Sequence, residues 1–333
     1  MPKVSVCIPS YNHARYIGAS IESVLAQSFE DWELVIVDNF STDDTQAVVK
    51  SFRDPRIRSY ASDRNVGLVR NWNRCVSLAR GEYVGILPAD DIYLPRMLER
   101  SVAMLDAHPK VGFTYAACNY IDESGSVILQ GTKRLDRDTV MRGSEVLKSL
   151  VMGNYIDAPS AMMRRDCYAS VGYYAESYVY NADWSLYMRA ALLHDVGFIS
   201  DPQAWFRLHS GSLSSKFEKN PRLVLAEDLP LLEEIHARVP TTHEWNRLFR
   251  EARRHAFDRH VGRSRELLLV GDAARFRAEI SYALSRDQAF PLRYMEATIL
   301  WLASLSGADI AKRLGSLERS FLRSLRRPGN GWN

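Results

Sequence analysis

Over the first ninety residues, four strand-like runs (4–8, 34–37, 57–61 and 83–87) alternate with segments of helical periodicity. Ile17, Ile21, Val24 and Leu25 recur at helical spacing, and Leu68, Trp72, Cys75 and Ala79 share one side of a later helix. The runs 34–37 and 83–87 are apolar throughout and 4–8 is apolar but for Ser5, the pattern of strands buried on both faces. A β-α-β-α-β-α-β order of this kind calls for an α/β fold, a mostly parallel central sheet with helices on both faces. Neither a G-x-G-x-x-G turn nor a Walker A loop is present, so neither NAD nor an ATP-hydrolysing P-loop is indicated.

Three of these runs end in ligand-type residues: Ser10-Tyr11-Asn12, Asp38-Asn39 and Asp90-Asp91. In open α/β sheets ligands bind at the carboxyl edge of the strands. Paired carboxylates at that edge suit Mg²⁺ or Mn²⁺, which take carboxylate, water and substrate phosphate oxygens. Taken alone, Asp90 and Asp91 serve equally as caps for a helix beginning near Pro95. Asp38 has the same ambiguity, since Ser41 and a helix follow it. Two further polar strand ends favour a binding role for Asp38.

The 333 residues carry 46% apolar and 25% charged side chains, enough for a sizeable core in one large domain plus an appendage. A net charge of +3 from 43 basic and 40 acidic side chains argues against a general nucleic-acid binder. Cys7, Cys75, Cys118 and Cys167 lack metal-ligand spacing and read as reduced thiols, which fits a cytoplasmic location. The start shows no signal-peptide h-region, and no apolar run is long enough to span a bilayer. From about residue 221 the pattern is helical, with breaks near Pro240, Gly262, Gly271, Pro291 and Gly307. We therefore expect a first domain over 1–220 and a helical region over 221–333.

Six segments in order resemble the family-2 glycosyltransferases, inverting enzymes with the GT-A nucleotide-sugar fold. Val4-Ser5-Val6-Cys7-Ile8-Pro9-Ser10-Tyr11-Asn12 is similar to the family's first strand and nucleotide loop. Val37-Asp38-Asn39-Phe40-Ser41-Thr42-Asp43 is similar to its base-recognition loop, and Asn65-Val66-Gly67 with Asn71-Trp72-Asn73 and the stretch Ala79-Arg80-Gly81-Glu82-Tyr83 to its middle segment. Ala89-Asp90-Asp91 falls where the family has its D-x-D metal motif. Ala182-Asp183-Trp184, with Arg189, resembles the catalytic-base segment, and Phe206-Arg207-Leu208-His209 through Ser214 the loop closing over the pyrophosphate. The resemblance covers the first 215 or so residues.

It implies Asp183 as catalytic base; if Asp183 were not the base, Asp157 and Asp201 would be the next acids to test. It implies Pro9, Ser10, Tyr11, Asn12, Asp38, Asn39, Asn65, Arg70, Arg74, Ala89 and Asp90 as nucleotide-binding positions. Asp90, Asp91 and His209 become the metal candidates for Mn²⁺ or Mg²⁺, and Arg207, Trp184 and Ser214 belong to the phosphate or acceptor side. Two positions depart from the family pattern. Asn39 replaces a second aspartate, which weakens uridine as the base, and Pro88 stands two before Asp90 where an acid is usual. The implied reaction moves a sugar, with a UDP-sugar as the expected donor, to a hydroxyl of a glycan or lipid-linked acceptor in bacterial surface polysaccharide synthesis. A non-catalytic nucleotide-sugar or glycan binder on the same fold is the alternative. A nucleotidyltransferase is disfavoured by the lack of a Gly-rich loop after the first strand.

At the far end, Leu292, Met295, Ile299, Leu302 and Leu305 precede Arg313, Arg319, Arg323, Arg326 and Arg327. Such a basic amphipathic stretch suits an anionic membrane surface on the inner face of the cytoplasmic membrane. Packing on the catalytic domain or in a homodimer is the competing expectation.

Overall fold

The computed structural model describes residues 1–131, 134–287 and 294–306. The chain divides into two compact units, Met1–Ser215 with Glu234–Leu248, and Lys216–Glu233 with the chain from Phe249 onward.

In the first unit the order is β1 (Val4–Ser10), α1 (Ile17–Leu25), β2 (Trp32–Asp38), α2 (Thr45–Ser51), β3 (Ile57–Ala61), α3 (Leu68–Leu78) and β4 (Tyr83–Ile86). β5 (Ile92–Tyr93), α4 (Met97–Ala107), β6 (Val111–Ile121), β7 (Val127–Leu129), β8 (Thr139–Met141) and α5 (Gly143–Leu150) follow. β9 (Ala161–Arg164), α6 (Arg165–Val171), α7 (Ala182–Leu193) and β10 (Asp195–Arg207) complete it. Every residue of β1 and β2 is buried, and the polar Ser5 and Glu33 among them are satisfied by a hydrogen bond from Ser5 Oγ to Glu33 Oε1 at 2.7 Å. Ile17, Ile21 and Val24 seat α1 on the sheet in a cluster with Val6, Ile8 and Leu34. Each such side chain contributes about 1.5–3 kcal/mol on full burial.

The ten-stranded sheet runs β3-β2-β1-β4-β9-β6-β10-β5, with β7 on β6 and β8 on β10. It is parallel through β3, β2, β1 and β4 and again between β6 and β10. β9 is antiparallel to both β4 and β6. Because β9 reverses, β6 and β10 point the same way as β1. One edge of the sheet therefore gathers the carboxyl ends of β1, β2, β4, β6 and β10 together with the amino end of β9. Gly81 sets the approach of β4 to β1. A Cβ there would fall 2.4 Å from the Ser5 nitrogen, and the Gly81 N–H donates to Ser5 Oγ at 2.7 Å.

The helices that follow are α8 (Leu213–Glu218), α9 (Pro221–His236), α10 (His243–Leu269), α11 (Ala273–Arg286) and α12 (Met295–Ser306), and the second unit takes their parts within Lys216–Glu233 and from Phe249 onward. Gly262, expected as a break, lies inside α10, a cost of about 1 kcal/mol that a long helix absorbs. Phe257, Phe276, Ile280, Ala297 and Leu300 form its core. Thus α12 buries Ala297 and Leu300, whereas Ile299 and Leu302 of the expected apolar stripe are about half exposed. The five arginines from Arg313 to Arg327, with Leu292, lie outside the described residues. No described helix is long and apolar enough to cross a membrane.

Candidate active site

The loops leaving β1 and β2 are laced together before any ligand arrives. Asn12, at φ 57°, accepts the Thr42 N–H at 2.8 Å, and its own N–H donates to Ser41 Oγ at 2.8 Å. The buried Asp38 carboxylate takes the Ser41 hydroxyl and an N–H of Gln46 at 2.8 Å. Asn39 spends its amide on the neighbouring loop, donating to Asn65 Oδ1 at 2.9 Å and accepting the Val66 N–H at 2.9 Å. Asn39 and Asn65 therefore shape this wall as a pair, while Tyr11 and Phe40 stand exposed above it. Arg70 forms an exposed ion pair with Glu176 at 2.7 Å, and Arg74 donates to Ser62 Oγ at 2.6 Å. Both arginines are engaged away from the Asp90 loop.

Past β4, Ala89 is buried and its carbonyl accepts the Ser20 hydroxyl at 2.9 Å. This fixes the turn that presents Asp90. His209 Nε2 lies 2.9 Å from Asp90 Oδ2, and His13 Nε2 lies 4.0 Å from the same oxygen. Burial would raise the Asp90 carboxyl, but the His209 hydrogen bond and the neighbouring His13 ring outweigh it and hold it below the usual range. Asp91, 1% exposed, behaves oppositely: burial and the charge of Asp90 push it well above the usual range. Its Oδ1 accepts the Arg207 N–H at 2.8 Å, and its Oδ2 is buried without a hydrogen-bond partner among the described residues.

Arg207 is a clamp between loops. Its guanidinium donates to the carbonyls of Asp90 at 2.8 Å and Asp122 at 2.9 Å, and lies 5.0 Å over the Tyr16 ring. Tyr16 also packs on His209, with centroids 5.0 Å apart. Ser214 falls in the first turn of α8.

The other acids approach the same edge from β9 and α7. Asp183 sits in the first turn of α7, where its Oδ1 accepts the Trp184 N–H at 2.6 Å and its Oδ2 the Asn154 amide at 3.4 Å. Burial raises its carboxyl, the Trp184 N–H opposes this, and the charge of Asp157 adds to it, leaving it at about 7. Trp184 itself is 1% exposed, its indole N–H on the Leu150 carbonyl at 2.8 Å, so it packs beneath the site and does not line it. Arg189 donates to the Tyr173 carbonyl at 2.7 Å and holds the segment before α7. Asp201 pairs with Arg100 at 3.4 Å, in the irregular stretch of β10.

The strand ends thus bring Asp90, Asp91, Arg207 and His209 together, with Asp183 entering on α7. Sequence reasoning missed His13, Tyr16, Asn154 and Tyr120. His13 and Tyr16 follow the recognised Asn12, but no spacing rule marks them.

A family model described as "Glycosyl transferase family 2" matches residues 5–167. Over those residues the chain is similar to glycosyl transferase family 2. It is 40% identical over 110 residues to the putative glycosyltransferase EpsE of Bacillus subtilis, covering 32% of this chain and 40% of that protein. To the Escherichia coli enzyme named UDP-Glc:alpha-D-GlcNAc-diphosphoundecaprenol beta-1,3-glucosyltransferase WfgD it is 33% identical over 124 residues, 37% of this chain and 49% of that one. The chain thus spans about half or less of the length of these two relatives. Among solved structures, TarS 1–349 of S. aureus in complex with UDP-GlcNAc matches at TM-score 0.66 and 18% identity, covering 96% of this chain and 92% of that one. The mannosyltransferase PcManGT of Pyrobaculum calidifontis, with GDP-Man and Mn²⁺, matches at 0.55 and 16%, covering 95% and 86%. These structures share the GT-A-like fold of this chain.

Proposed function

We propose that this chain transfers a sugar from a nucleotide-sugar donor to an acceptor hydroxyl with inversion at the anomeric carbon. The observation that carries the reading is the juxtaposition of an anionic Asp90 on His209 with a second acid, Asp183, whose carboxyl is raised to about 7. Asp90 and His209 would hold the Mn²⁺ or Mg²⁺. Among the described residues no three His, Cys, Asp or Glu side chains are grouped to hold a metal ion. The Asp90 carboxylate supplies a hard oxygen, and Mg²⁺ or Mn²⁺ would complete its shell with water and substrate phosphate oxygens. When bound, such a cation would supply positive charge beside the diphosphate of the donor.

The remaining work belongs to the chain. Arg207 fixes the Asp90 and Asp122 loops against each other through their carbonyls. Asp183 takes the proton of the attacking hydroxyl, a task best met by a group titrating near the working pH. Asn154 and the Trp184 N–H orient the carboxylate that does so.

For the base we favour uridine. Asp38 and the backbone of Pro9 to Tyr11 would hold base and ribose, and the likeness to TarS with UDP-GlcNAc supports this. A glycan or lipid-linked acceptor in bacterial surface polysaccharide synthesis is the matching acceptor class, supported by the lipid-diphosphate acceptor in the name of WfgD. Work at the inner face of the cytoplasmic membrane suits such an acceptor, and the exposed Ile299 and Leu302 suit contact there. A thermal-shift panel of UDP, GDP, UDP-GlcNAc, UDP-glucose and GDP-mannose, with and without Mn²⁺, tests the reading. Stabilisation by uridine nucleotides that grows with Mn²⁺ is expected. Indifference to every nucleotide in the panel would refute it.

A further inference from the structure

Among the acids at the site, Asp157 has so far been given only its charge effect on Asp183. Its position follows from strand direction. β9 runs against its neighbours, so the turn before it, Ala158–Ser160, opens at the same edge as the carboxyl end of β6. There the Tyr120 hydroxyl donates to Asp157 Oδ2 at 3.1 Å. Asp157 Oδ1 accepts no hydrogen bond from any described residue, and the side chain is partly exposed. One oxygen is therefore fixed and the other left open.

Asp157 stands close enough to act electrostatically on Asp91 and on Asp183. A donor with its diphosphate at Asp90, facing an acceptor hydroxyl at Asp183, must lay the transferred sugar ring between those two points. An ionised carboxylate only accepts hydrogen bonds, whereas a sugar ring offers hydroxyl donors. Burial pushes the Asp157 carboxyl up to about 6, so at pH 7 it remains mostly ionised.

We propose that Asp157, held by Tyr120, reads a hydroxyl of the transferred sugar and so makes the site selective for the sugar as well as the nucleotide. This rests on the transferase reading above. It adds that part of the donor affinity comes from the sugar itself, through a single acceptor oxygen. A donor sugar lacking that hydroxyl loses the contact.

The test is calorimetric and needs no transfer. Affinities for UDP, UDP-GlcNAc, UDP-glucose, GDP and GDP-mannose are measured with Mn²⁺ on full-length wild type and Asp157→Ala. Wild type should bind its preferred nucleotide sugar more tightly than the matching nucleoside diphosphate. Asp157→Ala should leave the diphosphate affinity in place and lose about ten- to hundredfold for the nucleotide sugar, the size of one hydrogen bond to a charged group. Should the alanine variant not fold, Asp157→Asn is measured instead, with Tyr120→Phe beside it; the same selective loss is expected in both. A sugar increment equal in wild type and the variant overturns the assignment. Failure of wild type to bind any of the nucleotides strikes the transferase reading itself, a separate outcome.

Discussion

The two sides of the site are built differently. On the Asp90 side nearly every polar group is pinned: Asp90 by His209, Asp91 by the Arg207 N–H, and Arg207 by two carbonyls from separate loops. On the Asp183 side the contacts are few and local, a neighbouring N–H and a long 3.4 Å contact from Asn154. The carboxyls diverge accordingly. Asp90 is held below the usual range, while Asp183 rises to about 7 because burial outweighs its hydrogen bonds. Fixed negative charge suits the binding of a cation and its diphosphate. A weakly held acid titrating near neutrality suits taking up and releasing a proton.

This contrast can be broken from either side. Asp90→Ala should reduce Mn²⁺-stimulated nucleotide affinity by about 10²-fold, the cost of losing roughly 3 kcal/mol of charged contact; titration of nucleoside diphosphate with and without EDTA measures it. Arg207→Ala should lower unfolding stability by about 2 kcal/mol, since it removes a guanidinium from two loop carbonyls; denaturant unfolding with unchanged slope checks this. Asp183 must be deprotonated to act. The kcat/KM should therefore fall about tenfold per unit as pH drops below about 7 and level off above it. In a pH profile, an unchanged rate down to pH 5 would detach this group from the reaction. Asn154→Ala is the mildest probe. Losing so long a hydrogen bond should cost about threefold in turnover and leave donor affinity alone.

Much of the parallel half was legible in the sequence because its strands are unbroken apolar runs with helices at regular intervals. The run 57–61 became β3 as read, and 83–87 lost only its last residue to the loop. The other half was harder. β5, β7 and β8 are two or three residues long, too short for any periodicity. β10 is one long strand whose register shifts between Ile199 and Ala204, an interruption that hides its continuity in the sequence. The reversal of β9 left no local mark, yet it brings Asp157 to the edge.

The candidate site was legible where polar residues end strands, as at Asp90. The pairing of Asp90 with His209 spans 119 positions, which no spacing rule detects. Only the family resemblance singled out His209 and Asp183. The partners that fix them, Tyr16 and Asn154, are ordinary loop or helix-entry residues in sequence. For Asn39 and Arg70, residue type suggested ligand contact, but local geometry gives each a partner within the protein.

The division of labour between the two sides is tested most directly on Asp183→Asn, which keeps size and removes basicity. Donor affinity, melting temperature and transfer rate should be measured on one preparation, with Mn²⁺ and the nucleotide sugar that stabilises wild type most. Affinity and melting temperature should stay near wild type, while transfer falls by about 10²–10⁴-fold, the range for losing a general base. A residue that only supports the start of α7 would instead give a loss of about 1 kcal/mol in stability with turnover retained. Near-normal turnover in Asp183→Asn would contradict its assignment as the base.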